Sequence, residues 1–236
     1  MNWNEPSQFS TIRLFDEISP KYDTLNHLFS LGMDFYWRKK LINYLPPCPC
    51  IRLLDLATGT GDQIISIMHR VPRVRSALGL DMSQCMIQRG RRKVHDKAYA
   101  HRVSFMLGDA THLPLQECSV ECITLSFGIR NIAAKKKCLI ESYRVLKKGG
   151  RLLILEFSIP KNRIIRVGYL FYLRRFLPWI GGIISGHKEA YQYLCHTIEQ
   201  FPTREHFCQL LIAHHFKVKK IISMTFGIVT LYVGEK

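Results

Sequence analysis

The chain has 236 residues, 47% hydrophobic and 22% charged. That is enough apolar material for one domain with its own core, or one domain carrying a helical cap. A mean hydropathy of −0.02 argues against a membrane-embedded bundle and against a disordered chain. Lys and Arg outnumber Asp and Glu by 34 to 18, and the resulting +16 points to an anionic partner, nucleic acid or membrane surface, unless it is simply a solvated basic surface.

In chain order, the first fifty residues read as amphipathic helices, FSTIRLFDEIS and then YDTLNHLFSLGMDFYWRKKLINYL, broken at Pro20 and ended by Pro46-Pro47. The opening residues show no charged n-region followed by an apolar run, so no signal peptide is expected. From Ile51 strands and helices alternate. Residues 51–56 read as a buried strand, 62–71 as a helix and 74–80 as a strand. Ser83 is placed to cap a helix reaching about residue 95. Strands follow at 103–107 and 120–127, then a helix over 133–146 that stops at Gly149-Gly150, then a strand over 151–157.

Two or three aromatic-rich helical segments interrupt the alternation between about 160 and 201. A helix over 204–215 and two closing strands, 217–223 and 227–233, finish the chain, and their short separation suggests an antiparallel pair. Within the insertion, IIRVGYLFYLRRFLPWIGGIISG is apolar but interrupted by Arg174, Arg175 and Pro178. It therefore reads as an interfacial helix or a cap on the core, and not as a spanning helix.

The cysteines Cys48, Cys50, Cys85, Cys118, Cys122, Cys138, Cys195 and Cys208 have no zinc-site spacing, and the histidines have no H-x-x-x-H pair. No metal is expected, and the thiols suit a reduced, cytoplasmic protein.

The densest signal is LLDLATGTGD, with Gly59 and Gly61 just after the first strand and Asp81 twenty residues beyond Gly61. Glycines there allow a tight turn or a close ligand approach. An acid at the end of the next strand is placed for a ribose diol, or alternatively for the start of the helix behind Ser83. The loop carries Asp55 and Asp62 and no basic residue, which favours a nucleoside without phosphates, such as S-adenosylmethionine, over a dinucleotide. Asp109 and Ala110 repeat the strand-end pattern and suit an adenine. The segment SFGIRN, 126–131, ends the fourth strand at the expected switch point and suggests a substrate-facing loop around Arg130, whose alternative role is a surface ion pair. A P-loop and a G-x-S-x-G elbow are both missing.

LLDLATGTGD, LGLDMS, GDATHLP, ITLSFGIRNI and RVLKKGGRLLILEFS, in this order, resemble the class I S-adenosylmethionine-dependent methyltransferases. More narrowly, FGIRN and YDTLN…SLGMDFYW resemble the ubiquinone/menaquinone biosynthesis C-methyltransferases, over nearly the whole chain. The resemblance implies a single α/β domain over 1–236, Rossmann-like. It would have a mostly parallel seven-stranded sheet whose last strand is antiparallel, a helical lead-in over 1–50 and a helical cap at about 160–201. It implies S-adenosylmethionine contacts at Asp55, Gly59, Thr60, Gly61, Asp81, Asp109, Ala110 and Ser126, with Arg130 by the acceptor and Tyr191, beside Tyr193, in the cap. Asp34 stands where relatives often have histidine, Leu25 where methionine is usual, and Lys148 where proline is usual.

The implied reaction is C-methylation of a polyprenylated quinol, demethylmenaquinol first and the benzoquinol of ubiquinone biosynthesis second. Arg130 would favour the reactive phenolate, and a bound water would relay its proton. A substrate tail held in the bilayer implies a cytoplasmic enzyme touching an anionic membrane surface peripherally. No nucleic-acid partner is then expected, and homo-oligomerisation is left open. Rival readings are an RNA or protein methyltransferase and a non-catalytic nucleoside-binding module. The first lacks the N/D-P-P-Y/F motif that SFGIR replaces, and the second does not need an intact substrate loop.

Overall fold

The computed structural model describes residues 8–185 and 188–236. Part of the stretch bearing on a signal peptide, and two residues of the expected cap, lie outside the described residues. The lead-in forms helices α1 (Gln8–Ile18), α2 (Tyr22–Phe29) and α3 (Met33–Ile42). Pro20 sits in a 3₁₀ turn between α1 and α2, and Leu31 and Gly32, both at positive φ, turn the chain into α3.

The strands are β1 (Ile51–Leu56), β2 (Val74–Asp81), β3 (Val103–Leu107), β4 (Val120–Ser126), β5 (Leu146–Phe157), β6 (Lys217–Met224) and β7 (Val229–Glu235). They form one sheet in the order β3-β2-β1-β4-β5-β7-β6. The first five are parallel, and β7 runs antiparallel to both of its neighbours, as expected. β1 is central and almost continuously buried, because helices cover both faces of a parallel sheet. On one face Trp37, Leu41, Ile64 and Ile87 pack against the sheet, and on the other Cys138, Leu139, Phe207 and Leu211 do so.

Two boundaries differ from the sequence reading. Helix α4 (Asp62–Met68) ends before residue 71, and helix α6 (Lys135–Val145) gives way directly to β5. The pair Gly149-Gly150 therefore lies inside a bulged strand. Val120 pairs with Leu146 and Cys122 with Arg151, so the intervening residues loop out, and Gly149, at φ 77°, bonds to the carbonyl of Lys236. Helix α5 (Gln84–His95) is capped as expected by Ser83, whose Oγ accepts from the amide of Met86 at 3.1 Å.

The cap comprises α7 (Arg163–Phe171), one π-helical turn (Tyr172–Phe176), α8 (Leu177–Ser185) and α9 (Lys188–Gln200); α10 (Arg204–Ala213) returns to the sheet. Pro178 is the second residue of α8, where a missing amide is tolerated, so the arm continues as a helix past it. Its inner side chains Tyr169, Leu173 and Leu177 meet Leu25, Tyr191 and Ile198 in a third core. Among the described residues, no helix is long and apolar enough to cross a membrane.

Candidate active site

The strand order reverses between β1 and β4, where the carboxyl ends of parallel strands leave a crevice. A first cavity lies there, of about 830 Å³ including space open to solvent. The loop after β1 supplies Gly59, β2 ends in Asp81, the loop after β3 brings Asp109 and Ala110, and Ser126 ends β4. Ile12, Phe15 and Tyr22 of the lead-in close the cavity over. Among the described residues, its lining holds two carboxylates, Asp81 and Asp109, and no lysine or arginine.

Asp81 does two jobs. Its Oδ2 accepts from the amide of Gly59 at 2.7 Å and its Oδ1 from that of Ser83 at 2.9 Å, so it fixes the glycine loop to the head of α5. The amide of Met82 also acts on this carboxylate, which keeps acceptor capacity for a further donor. Burial raises its pKa above the ordinary carboxylate value, against the pull of those amides. Asp109 accepts from the amide of Thr111 at 2.8 Å, and Ser126 donates to Gln63 at 3.0 Å.

Three residues expected at this site stand behind it. Asp55 is 1% exposed and accepts from the hydroxyls of Thr58 at 2.6 Å and Thr124 at 2.5 Å beneath the loop. Thr60 turns away, donating to Asp23 at 2.6 Å and accepting from Lys93 at 3.1 Å. Gly61, at φ 82°, makes room for Phe105: a Cβ there would stand 2.9 Å from that ring. These residues shape the loop from below, and Gly59 alone of the loop's two glycines reaches the cavity lining.

Burial pushes the Asp55 carboxyl up from its ordinary 3.8 to about 6, against the hydroxyls of Thr124 and Thr58. The folded protein thus keeps this proton in a range where the unfolded chain has lost it. The stability this represents is complete below pH 3.8 and is lost as pH rises through about 6. In denaturant titrations from pH 4 to 7.5, the wild type is expected to lose about 2–3 kcal/mol that Asp55→Asn does not lose. Parallel pH profiles for the two proteins would remove this assignment.

A larger second cavity, about 1360 Å³ with its solvent-open part, adjoins the first. Tyr22 and Phe127 line both, so these two side chains mark where the cavities meet. The second cavity is mostly apolar: Trp37, Phe127 and Phe157 form an aromatic floor, with the rings of Phe127 and Phe157 4.7 Å apart. Cap residues including Ile165, Tyr169, Tyr172 and Leu177 roof it.

Arg130 lies in this second cavity and is no surface ion pair. Its side chain is 6% exposed, and its Nη1 donates to the fully buried Glu156 at 2.8 Å and to the carbonyl of Phe127. Its amide donates to the other Glu156 oxygen at 3.2 Å, and its guanidinium lies 5.5 Å from the Phe157 ring centre. Tyr191 lines a smaller cleft behind, which it shares with Arg130, Tyr22 and Tyr193, and its ring stands edge-on to Phe29 at 5.2 Å.

Sequence reasoning did not find Tyr22, Glu156 or the latch on the lead-in. Lys93 binds Asp62 and, at 2.8 Å, Asp23; Ser83 donates to Asp16 at 2.5 Å. These pairs join segments up to seventy residues apart, so no local pattern could announce them. Tyr22 did carry a signal, as the first residue of the quoted YDTLN motif. Burial raises its phenol pKa against the influence of Arg130, so it stays protonated at neutral pH and able to donate.

A family model described as the ubiE/COQ5 methyltransferase family matches residues 5–236. The chain is 40% identical over 223 residues to the ubiquinone/menaquinone biosynthesis C-methyltransferase UbiE of Geotalea daltonii, covering 94% of each. It is 39% identical to the demethylmenaquinone methyltransferase of Thermus thermophilus, covering 94% of this chain and all of that one. Among solved structures, an S-adenosylmethionine-dependent methyltransferase from Thermotoga maritima superposes with a TM-score of 0.67 at 16% identity, over 95% of this chain and 99% of that one. The geranyl diphosphate C-methyltransferase of Streptomyces coelicolor A3(2) gives 0.59 at 14%, over 84% and 77%. These two likenesses concern the fold.

Proposed function

The chain belongs to the ubiE/COQ5 methyltransferase family, and we propose that its acceptor is demethylmenaquinol, methylated at a ring carbon, with the benzoquinol of ubiquinone biosynthesis as the alternative ring. The enzyme is an S-adenosylmethionine-dependent C-methyltransferase of quinone biosynthesis. The observation that carries the proposal is the meeting of two unlike cavities at Tyr22 and Phe127: one acidic and nucleoside-sized, the other apolar with a buried arginine.

The first cavity fits the cofactor. Asp81 has spare acceptor capacity for ribose hydroxyls, Asp109 and Ala110 stand where an adenine edge would be read, and carboxylates without lysine or arginine suit a cation without phosphates. When bound, S-adenosylmethionine supplies an electrophilic methyl group on a sulfonium. The protein's task is then alignment and exclusion of water. Ile12, Phe15 and Tyr22 cover the cofactor side, and the aromatic floor and the cap shield the other.

A hydroquinone carbon becomes nucleophilic when its ring hydroxyl ionises. Arg130 favours that anion, and Glu156 fixes the guanidinium so that no reorganisation is needed. Arg130 itself does not take the proton, because a guanidinium is not deprotonated in a protein; a water relays it. Tyr22 acts as a neutral hydrogen-bond donor at the junction, and Tyr191 backs the cleft behind Arg130.

We also assign a peripheral membrane contact to the cap, at the cytoplasmic surface of the bilayer. The arm 163–185 has two faces. Ile165, Tyr169, Tyr172 and Leu177 roof the acceptor cavity, while Ile164, Val167, Phe171 and Trp179 point to solvent at 61–83% exposure. Arg163, Arg166 and Arg175 flank that outer face and suit anionic headgroups, whereas Arg174 is paired with Glu199 at 2.6 Å. Vesicle flotation is expected to recover the wild type on anionic liposomes and much less on neutral ones. Phe171→Glu with Trp179→Glu should abolish recovery while leaving cofactor affinity unchanged; equal recovery of both proteins would overturn the assignment.

Expression in a host lacking its own C-methyltransferase tests the acceptor. Mass spectrometry of its quinones is expected to show restored menaquinone. Restoration of ubiquinone alone would select the benzoquinol instead.

A further inference from the structure

A second, largely buried guanidinium lines the second cavity, and nothing in the reaction described above uses it. Arg38, on α3, lines the same cavity as Arg130 and is 12% exposed. Its guanidinium lies 5.3 Å from the centre of the Phe127 ring, as that of Arg130 lies 5.5 Å from the Phe157 ring. Because those two rings pack together at 4.7 Å, the floor of the cavity carries one cation on each of two adjoining aromatic faces.

Both cations hold an unused donor. The Nε atoms of Arg38 and Arg130 are buried and have no hydrogen-bond partner among the described residues. The nearest carboxylate to Arg38, Asp34, is 3.8 Å away, too far for a hydrogen bond. Asp34 is already held by His27 and Ser30, each at 2.8 Å. The two Nε atoms have no surface open to the cavity, but the guanidinium groups are not used up. Among the described residues Arg38 donates no side-chain hydrogen bond and Arg130 donates only through Nη1, so their remaining Nη donors can serve a ligand with two acceptor atoms. Between them the rings of Phe127 and Phe157, tilted by 37° to one another, offer an apolar surface for a ring.

We propose that Arg38 binds the second oxygen of the acceptor ring, so that Arg38 and Arg130 form a two-armed clamp selecting rings that carry two oxygens over rings that carry one. The proposal rests on the quinol reading and adds to it. Arg130 serves the oxygen whose ionisation activates the ring, and Arg38 fixes which way round the ring lies. The anion-favouring role stays with Arg130, whose guanidinium Glu156 holds in place.

The test is equilibrium binding of two probes to the full-length protein saturated with S-adenosylhomocysteine, under reducing conditions, read by tryptophan fluorescence. The probes are a short-chain 2-prenyl-1,4-naphthohydroquinone and the matching 3-prenyl-1-naphthol, which keeps the oxygen next to the reacting carbon and lacks the other. The wild type is expected to prefer the two-oxygen ring by about 10-fold or more, the worth of one hydrogen bond to a charged group. Arg38→Met should bring that ratio close to one, with affinity for S-adenosylhomocysteine unchanged. Should Arg38→Met fail to bind S-adenosylhomocysteine, Arg38→Lys decides in its place, and its ratio is expected to fall at least threefold. A preference that survives in the deciding variant overturns the clamp, as does a wild type that binds both probes equally. A wild type that binds neither probe overturns the quinol reading itself.

Discussion

Asp81→Asn is expected to weaken binding of S-adenosylmethionine and S-adenosylhomocysteine by about 100-fold or more, read by titration calorimetry. Two hydrogen bonds from a ribose diol to a charged acceptor account for that much. The effect is concentrated at this residue because its carboxylate also holds the amides of Gly59 and Ser83, the loop and helix head on either side of the cavity. Asparagine loses the charge and can accept through one oxygen only. The raised pKa of Asp81 adds a signature. Cofactor affinity should rise with pH through the acid range and level off earlier in Asp81→Asn, which has no carboxyl to ionise. An Asp81→Asn protein with wild-type affinity would move the ribose contact elsewhere.

Arg130→Met is expected to lower kcat by about 10²- to 10³-fold with cofactor affinity within threefold of wild type, the loss typical of removing one pre-organised donor from a developing anion. A second effect has to be separated from the first. Glu156 is fully buried, and taking away its partner leaves an uncompensated charge at a cost of about 3–5 kcal/mol. The paired variant Arg130→Met with Glu156→Leu removes both charges. It should regain most of the lost stability in a denaturant titration while kcat stays low. If kcat recovered together with stability, Arg130 would be a structural partner of Glu156 and no more.

What sequence reading reaches here is set by distance along the chain. The buried run at 51–56, the glycines after it, the acid closing β2 and the Ser83 cap are local features, and each appears where expected. The antiparallel ending follows from the short link between β6 and β7 in the same way. The start of β5 was missed because the helix ends when Leu146 pairs with Val120, a contact that outweighs the helix-stopping signal of Gly149-Gly150. Within the glycine loop the same limit applies at atomic scale. Residues at 55, 59, 60 and 61 look equivalent as text, yet Asp55 bonds downward to Thr124, Thr60 sideways to Asp23, and Gly61 yields to Phe105. Arg130 was legible as a candidate at the switch-point edge, and it lines the second cavity, but Glu156 and Arg38, which give it a fixed direction and a counterpart, belong to other elements.

The most direct test of two cavities meeting across Tyr22 and Phe127 is the position of the transferred methyl group. Purified enzyme would be incubated anaerobically with methyl-labelled S-adenosylmethionine and a short-chain demethylmenaquinol, and the product examined by mass spectrometry and NMR. The account predicts one labelled methyl on a ring carbon of the naphthoquinol, with both ring oxygens free. A methyl ether on a ring oxygen, or label appearing in an RNA pool and not in the quinol, would contradict it.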